Sequence, residues 1–349
     1  MALSRREFIK GCLALTGTAA LGGLGLNWVR NLFGESAPAY RPGYLDLEYS
    51  GELARREQAL WKLFENCSLC PRMCGVNRVE GNMGVCSSDN TFRVASHGPH
   101  FGEETPFVGR RGFRFSGGSG TIFFSNCSLL CIFCQNWQIN HRGDGRVTSH
   151  AELARMMLSL QRRGCHNINL VTPTHLVPHL VTALRLAIAE GLNLPLLYNT
   201  GGYDSLEVIK LLDGVVDIYL PDFKFQDAEL AARFAKGAPD YPRHAAAAIK
   251  EMHRQVGVLQ QAPNGIAYRG LLIRHLVLPE NVAGTDDFVR WVVSELDPET
   301  HVNIMSQYAP QFRARSYPDK YQPLHRRPTS GEFAQAMRWA HEAGLRNFH

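Results

Sequence analysis

From Thr121 to the end of the 349-residue chain, short apolar runs alternate with amphipathic helical stretches, and this alternation limits the fold most. The runs lie at 121–125, 167–171, 194–198, 215–220, 271–278 and 302–306 and read as strands. Helical patterns follow at 149–163, 176–190, 205–212, 227–236, 242–256, 285–296 and from 329 onward. Ser149-His150-Ala151-Glu152 and Thr329-Ser330-Gly331-Glu332 are capping boxes, and Thr285 reads as a further N-cap. Leu153, Met156, Met157 and Leu160 share one helical face, so these methionines are expected in the core. Strands separated by helices pair in parallel with the helices outside. Six such units give an α/β fold, an open, partial (β/α)6 barrel, with its site at the C-terminal ends of the strands.

The first strand runs straight into Cys127-Ser128-Leu129-Leu130-Cys131-Ile132-Phe133-Cys134, a C-x3-C-x2-C loop. Thiolates favour iron–sulfur clusters and zinc. A closed iron–sulfur site takes four ligands, so three leave one iron of a cubane open to a chelating ligand. Leu129, Leu130, Ile132, Phe133 and Trp137 supply apolar bulk that excludes water. The competing readings are three buried thiols, or a zinc site whose fourth ligand lies elsewhere. Seven of the nine cysteines fall in two clusters, which suggests metal ligation more than scattered disulfides. The net charge of +5 is spread along the chain, with no basic stripe interleaved with aromatics, so nucleic-acid binding has no support.

The second cluster precedes the barrel. After a helix candidate at 51–64, with Leu53, Leu60 and Leu63 on one face, Cys67, Cys70, Cys74 and Cys86 read C-x2-C-x3-C-x11-C. Four thiolates close a site, which fits a second iron–sulfur cluster, a zinc site or, outside the cytoplasm, two disulfides. Arg72 and Arg78 are expected on a solvated face.

Ser4-Arg5-Arg6-Glu7-Phe8-Ile9-Lys10 is followed by a mild apolar run to Leu26 and by Ala37-Pro38-Ala39, with cleavage expected after Ala39. These residues resemble a Tat export signal, which implies a periplasmic or leader-anchored protein, or a cytoplasmic one if the leader is vestigial. Cys12 lies inside this leader and is not an expected ligand. The chain therefore divides into a leader at 1–39, a Cys-rich segment at 40–100 and a core barrel at 101–349.

The C-x3-C-x2-C loop with Phe133 before its last cysteine resembles the radical S-adenosylmethionine (SAM) superfamily. The resemblance implies a [4Fe–4S] cluster on Cys127, Cys131 and Cys134, whose open iron binds the methionine part of SAM. Reductive cleavage then yields a 5′-deoxyadenosyl radical that abstracts hydrogen. Cys67-x-x-Cys70-Pro71-Arg72-x-Cys74-Gly75-Val76-Asn77-Arg78 is similar to a segment found upstream of that loop in a branch of pyruvate formate-lyase activating enzyme-like proteins. This likeness extends from about Asn66 to Leu345 and implies a glycyl radical enzyme or other protein substrate as partner, together with an electron donor.

The strand ends supply the remaining candidates. Thr172 and Thr174 stand where relatives carry a Gly-Gly-Glu-like turn that holds SAM, and this chain departs from that turn. Asn199 before Gly201 and Gly202 is a candidate for hydrogen-bonding a ribose or the methionine carboxylate, with a plain turn residue as the alternative. Asp222-Phe223-Lys224 resembles the D-x-K of glycyl-radical activating enzymes, implying that Asp222 orders the SAM site and Lys224 faces substrate; a plain salt bridge is the alternative. Arg274 and His275 resemble the start of an Arg-x-x-Val-x-Pro strand and fall on opposite faces of it. His275 joins Asp222 and Lys224 as a catalytic candidate, and Arg274 joins the cofactor-binding set. Gln307 and Tyr308 are expected at the rim. The missing Gly-Gly-Glu turn and the leader favour a rival reading, an exported iron–sulfur electron-transfer protein without SAM chemistry.

Overall fold

Backbone pairing gathers six of the strands into one parallel set. The structure, a computed structural model, describes residues 40–109 and 117–349. The twin-arginine leader, its cleavage site and Cys12 lie outside the described residues. In chain order the elements are α1 (Tyr44–Tyr49), α2 (Glu52–Glu65), β1 (Arg93–His100), α3 (Thr105–Val108), β2 (Ser119–Phe124), α4 (Trp137–Arg142), β3 (Arg146–Val147), α5 (His150–Arg162), β4 (Ile168–Val171), α6 (Val177–Ala189), β5 (Leu196–Thr200), α7 (Leu206–Leu211), β6 (Ile218–Pro221), α8 (Ala228–Phe234), α9 (Tyr241–Val256), β7 (Gln260–Gln261), β8 (Ala267–Leu276), α10 (Thr285–Glu295), β9 (His301–Met305), α11 (Phe312–Ser316) and α12 (Ser330–Glu342). The sheet runs β3-β1-β2-β4-β5-β6-β8-β7, with β9 added on β8. The chain order β2, β4, β5, β6, β8, β9 is the parallel core that the alternation implies.

Three short antiparallel additions frame it: β1 on β2, β3 on β1 and β7 on β8. The sequence of β1, Arg-Val-Ala-Ser-His-Gly-Pro-His, has no apolar alternation, and most of the strand is incompletely buried. Such a strand is held by backbone pairing, to β2 and at its start to β3, and leaves no hydrophobic pattern to read. Both capping boxes form. Thr285 differs: Gly284 is the N-cap and Thr285 the first helical residue, its hydroxyl being committed to His275.

Strand alternation sorts the side chains into two cores. The outer core lies between the sheet and its helices and holds Ile122, Leu170, Tyr198, Tyr219, Ile273 and Met157. The lumen holds a smaller cluster of Leu197, Ile218, Leu220 and Leu272, closed by Phe107 from α3. Counting two residues on from Leu197, Leu220 and Leu272 places Asn199, Asp222 and Arg274 on the lumen face at the strand ends. Arg41–His349 form one unit and Met1–Tyr40 the other, of which only Tyr40 is described, so the Cys-rich segment belongs to the same unit as the barrel. Among the described residues no helix is long and apolar enough to cross a membrane.

Candidate functional site

The loop leaving β2 carries Cys127, Cys131 and Cys134 over the mouth of the barrel. Asn126 and Leu130 hold positive φ angles of 71° and 56°, which asparagine accepts readily and which a leucine keeps only when its surroundings enforce it. Here the loop is tied down by its backbone. The Ile132 amide donates to the Phe234 carbonyl at 2.9 Å, and the Ile132 carbonyl accepts from Arg313 and Ala314 at 3.0 and 3.2 Å. His141 Nε2 donates to the Cys131 carbonyl at 3.0 Å. Leu129, Leu130, Ile132 and Phe133 are all buried. Tyr308, expected at the rim, is buried too: it packs on Phe133 with ring centroids 5.8 Å apart and donates to the Leu324 carbonyl.

Burial pushes all three thiols above their usual range. Several groups work the other way and favour thiolates. The Leu129 amide donates to Cys127 Sγ at 3.4 Å and Asn140 Nδ2 to Cys134 Sγ at 3.3 Å. The Lys224 ammonium acts on all three sulfurs. Three sulfurs, two of them with amide donors, and one largely buried cation form a donor set suited to an iron–sulfur cluster with one open iron. All eight described cysteines are free. Among the described residues no three His, Cys, Asp or Glu side chains close to the spacing of ligands on one ion; thiolates on separate irons of a cubane stand further apart than that.

Asp222 and Lys224 follow β6 and form an ion pair, Nζ to Oδ2, at 2.7 Å, each side chain about a fifth exposed. Burial works against the ammonium, but Asp222 and the sulfurs of Cys131 and Cys134 outweigh it and raise its pKa above the ordinary lysine range. Lys224 therefore compensates charge at the cysteine loop. Tyr241 pins this turn: its hydroxyl accepts from the Lys224 amide at 2.9 Å and lies 3.0 Å from the Gly201 carbonyl. Gly202 has φ 79°, and a Cβ there would stand 2.3 Å from the Asp222 carbonyl, so only glycine lets β5 end beside β6 this closely. We expect Lys224→Met to lower the reduction potential of a cluster held by these cysteines, because a nearby positive charge favours the reduced form. An EPR-monitored redox titration reads this, and an unchanged potential would contradict it.

Arg274 lies in the lumen, as its alternation requires. It pairs with Glu104 at 2.7 and 2.8 Å and with Glu103, and its Nη1 reaches Asn199 Oδ1 at 3.4 Å. Asn303 Nδ2 donates to Glu104 at 2.9 Å. Burial works to raise the Glu104 carboxyl, but Arg274 and Asn303 outweigh it and hold it below the usual range. Glu103, Glu104 and Asn303 carry no local pattern that marks them in the sequence. Asn199 joins this network, Asp222 lies level with Arg274 through a bridge pairing, and Thr172, with φ 62°, sits half-buried at the end of β4.

Two candidates lie elsewhere. Thr174 is buried, with its hydroxyl on Asp204 at 2.7 Å and Thr200 at 3.1 Å, so it does not face the lumen. His275 points outward as Arg274 points inward. Its Nδ1 donates to the Phe223 carbonyl at 2.8 Å, its Nε2 accepts from Thr285 at 2.9 Å, and its ring stacks on Phe288 at 4.2 Å. It is a structural group of the outer core, not a catalytic one. Burial lowers its pKa to about 4, and those of His175 and His179 to about 3. Unfolded, all three take up protons near pH 6.5. Their contribution to stability is full above pH 6.5 and is lost as pH falls toward 4, at roughly 1.4 kcal/mol per pH unit for each. Urea midpoints should fall steeply from pH 7 to pH 5; a flat profile would refute this.

Of the two arginines expected on a solvated face, Arg78 is buried and Arg72 half-buried. Arg78 is fully buried, lies 4.1 Å over the Phe64 ring and donates to the His175 carbonyl at 2.7 Å and the Asp89 carbonyl at 3.0 Å. Arg72 donates to the carbonyls of Ser128 at 3.0 Å, Leu129 at 3.4 Å and Ala235 at 3.1 Å. A bare charge in either place would be costly; here both guanidinium groups are met by backbone carbonyls.

A family model described as the radical SAM superfamily matches residues 121–292, from β2 through most of α10, and so contains all three cysteines. The chain belongs to the radical SAM superfamily. It is 31% identical over 315 residues to an uncharacterized protein of Methanocaldococcus jannaschii, covering 87% of this chain and 80% of that one. Among solved structures, a radical SAM methyltransferase from Sphaerobacter thermophilus superposes with a TM-score of 0.45 at 17% identity, covering 66% of this chain and 65% of that one. Methylornithine synthase gives 0.40 at 16% identity, with 65% and 69% covered. Membership of this superfamily implies a [4Fe–4S] cluster and SAM as cofactors, and the donor set at Cys127, Cys131 and Cys134 fits that cluster.

Proposed function

We propose that the protein reductively cleaves SAM at the mouth of this barrel and uses the resulting radical to abstract hydrogen from a substrate. The observation that carries the reading is the three-cysteine loop at the end of the first parallel strand, with the Asp222–Lys224 pair set against its sulfurs. A reduced cluster with SAM bound supplies one-electron cleavage of a carbon–sulfur bond. The chain's own residues do the rest. Cys127, Cys131 and Cys134 would hold the cluster. Lys224 offsets its charge. Leu129, Leu130, Ile132 and Phe133 keep water from the reacting region. Asn199 and Arg274 present polar groups in the lumen, where the polar end of SAM would bind.

The D-x-K turn at Asp222-Phe223-Lys224 and the Cys-Pro-Arg segment at Cys70-Pro71-Arg72 support a narrower reading, in which the substrate is a glycyl residue of a partner enzyme. The twin-arginine motif supports Tat export of the cluster-loaded protein. Anaerobic reconstitution, reduction with dithionite and addition of SAM should give 5′-deoxyadenosine over many turnovers. A fully loaded, reducible protein that makes none would overturn SAM cleavage and favour electron transfer alone. Mixing with a candidate partner should produce a glycyl radical doublet by EPR; its absence while 5′-deoxyadenosine forms would overturn only the narrower reading.

A further inference from the structure

The two cysteine sets are joined at two points. Arg72, between Cys70 and Cys74, donates to the carbonyls of Ser128 and Leu129, which lie between Cys127 and Cys131. Asn126, next to Cys127, donates through Nδ2 to the carbonyl of Ser87, next to Cys86, at 3.0 Å. Asn126 and Ser87 both hold positive φ, at 71° and 59°, which asparagine accepts readily and which a serine keeps only when its surroundings enforce it. Each bridge thus connects one cysteine set to the other through a single side chain.

The Cys67–Cys86 segment is itself arranged around its sulfurs. A Cβ on Gly84 would stand 3.5 Å from Cys74 Sγ and 3.6 Å from Cys86 Sγ, so both sulfurs lie beside the same glycine although they are well separated in the chain. The Val85 amide donates to Cys74 Sγ at 3.3 Å. The Arg72 amide lies against Cys70, and the Leu69 amide and the Arg78 guanidinium lie against Cys67. The first set carries the same kind of donors, amide N–H groups and one cation. Cys67, Cys70 and Cys86 are buried, and Cys74 is partly exposed.

We propose that Cys67, Cys70, Cys74 and Cys86 hold a second iron–sulfur cluster, which receives electrons from an external one-electron carrier and passes them through the Arg72 and Asn126 bridges to the cluster at Cys127, Cys131 and Cys134. This rests on the radical SAM reading, which gives the first set its cluster. Four thiolates leave no open iron, so the second site transfers electrons and binds no SAM. The carrier gives up one electron, the second cluster takes it and returns to its oxidised state on passing it on, and the first cluster ends one electron more reduced. No bond or proton moves.

The test counts metal first. The full chain, purified anaerobically and reconstituted, should hold about eight irons and as many sulfides, and a Cys127→Ala/Cys131→Ala/Cys134→Ala chain about four, with an EPR signal that SAM does not alter. A Cys70→Ala/Cys74→Ala chain should keep about four irons with a SAM-sensitive signal. Zinc in the triple variant, no metal there, or only about four irons in the unmodified chain would overturn the second cluster while leaving the radical SAM reading intact. A full complement of iron with no SAM-sensitive signal would instead sink the radical SAM reading. Stopped-flow reduction by a reduced flavodoxin then tests the relay. The first cluster should be reduced at least tenfold more slowly in Cys70→Ala/Cys74→Ala. Arg72→Lys keeps every cysteine but cannot span the two carbonyls as a guanidinium does, and it should slow reduction at full iron content, which decides the matter even where the double variant fails to fold. Unchanged rates in both would overturn the relay.

Discussion

A Cys131→Ala chain is expected to make no 5′-deoxyadenosine above background while keeping its fold. Both halves follow from how the loop is held. Cys131 is the middle thiol of the set, and without it two thiolates remain for a cluster that needs three, so the chemistry has nowhere to start. The loop itself is fixed by backbone bonds on either side of that sulfur: His141 to the Cys131 carbonyl, Ile132 to Phe234, and Arg313 and Ala314 to Ile132. Removing one small buried side chain leaves those bonds in place and costs about 1 kcal/mol. Matched thermal unfolding of metal-free protein, iron analysis and the deoxyadenosine assay separate the two effects. Residual turnover with unmodified SAM binding would mean that the cluster is ligated elsewhere.

The parts of the site that the sequence displays are the local ones. Cys127, Cys131 and Cys134 sit within eight residues behind a readable strand, and Asp222 and Lys224 share a face because an extended chain alternates. The same alternation separates Arg274 from His275, but it does not say which of them looks inward; the lumen cluster of Leu197, Leu220 and Leu272 decides that. What the sequence hides is carried by long-range pairs. Glu104 meets Arg274 across 170 residues, and Arg72 meets Ser128 across 56. A charged residue in a polar stretch reads as solvated until the carbonyls or carboxylates that receive it are in view, which is why Arg72, Arg78 and Glu104 could not be placed by composition. β1 escaped for a different reason: a strand with Gly98 and Pro99, paired to β2 and only at its start to β3, needs only backbone pairing to form.

Glu104→Ala is expected to cost about 3 kcal/mol of stability, among the largest effects of any single change outside the cysteines. The Glu104 carboxylate is buried in the lumen between Arg274 and Asn303, accepting from Nε, Nη2 and Nδ2 at 2.7–2.9 Å. Truncating it takes three hydrogen bonds from Arg274 and Asn303 and leaves Glu103 as the paired anion, so the full cost of an uncompensated buried charge is reached only where Glu103 is neutral as well. A cavity opens at the same time, above Phe107. Replacing the cation as well removes the stranded charge only in a Glu103→Gln background, because Glu103 is also buried against Arg274. In that Glu103→Gln background, a Glu104→Ala/Arg274→Met double variant should therefore be more stable than Glu104→Ala, although it has lost more native contacts. Urea unfolding at pH 7 on the four chains of this cycle measures the coupling directly. Additive losses would show that Arg274 is solvated after truncation and that the lumen admits water; recovery in the double variant would show that the lumen at the strand ends is dry, the condition the radical chemistry there requires.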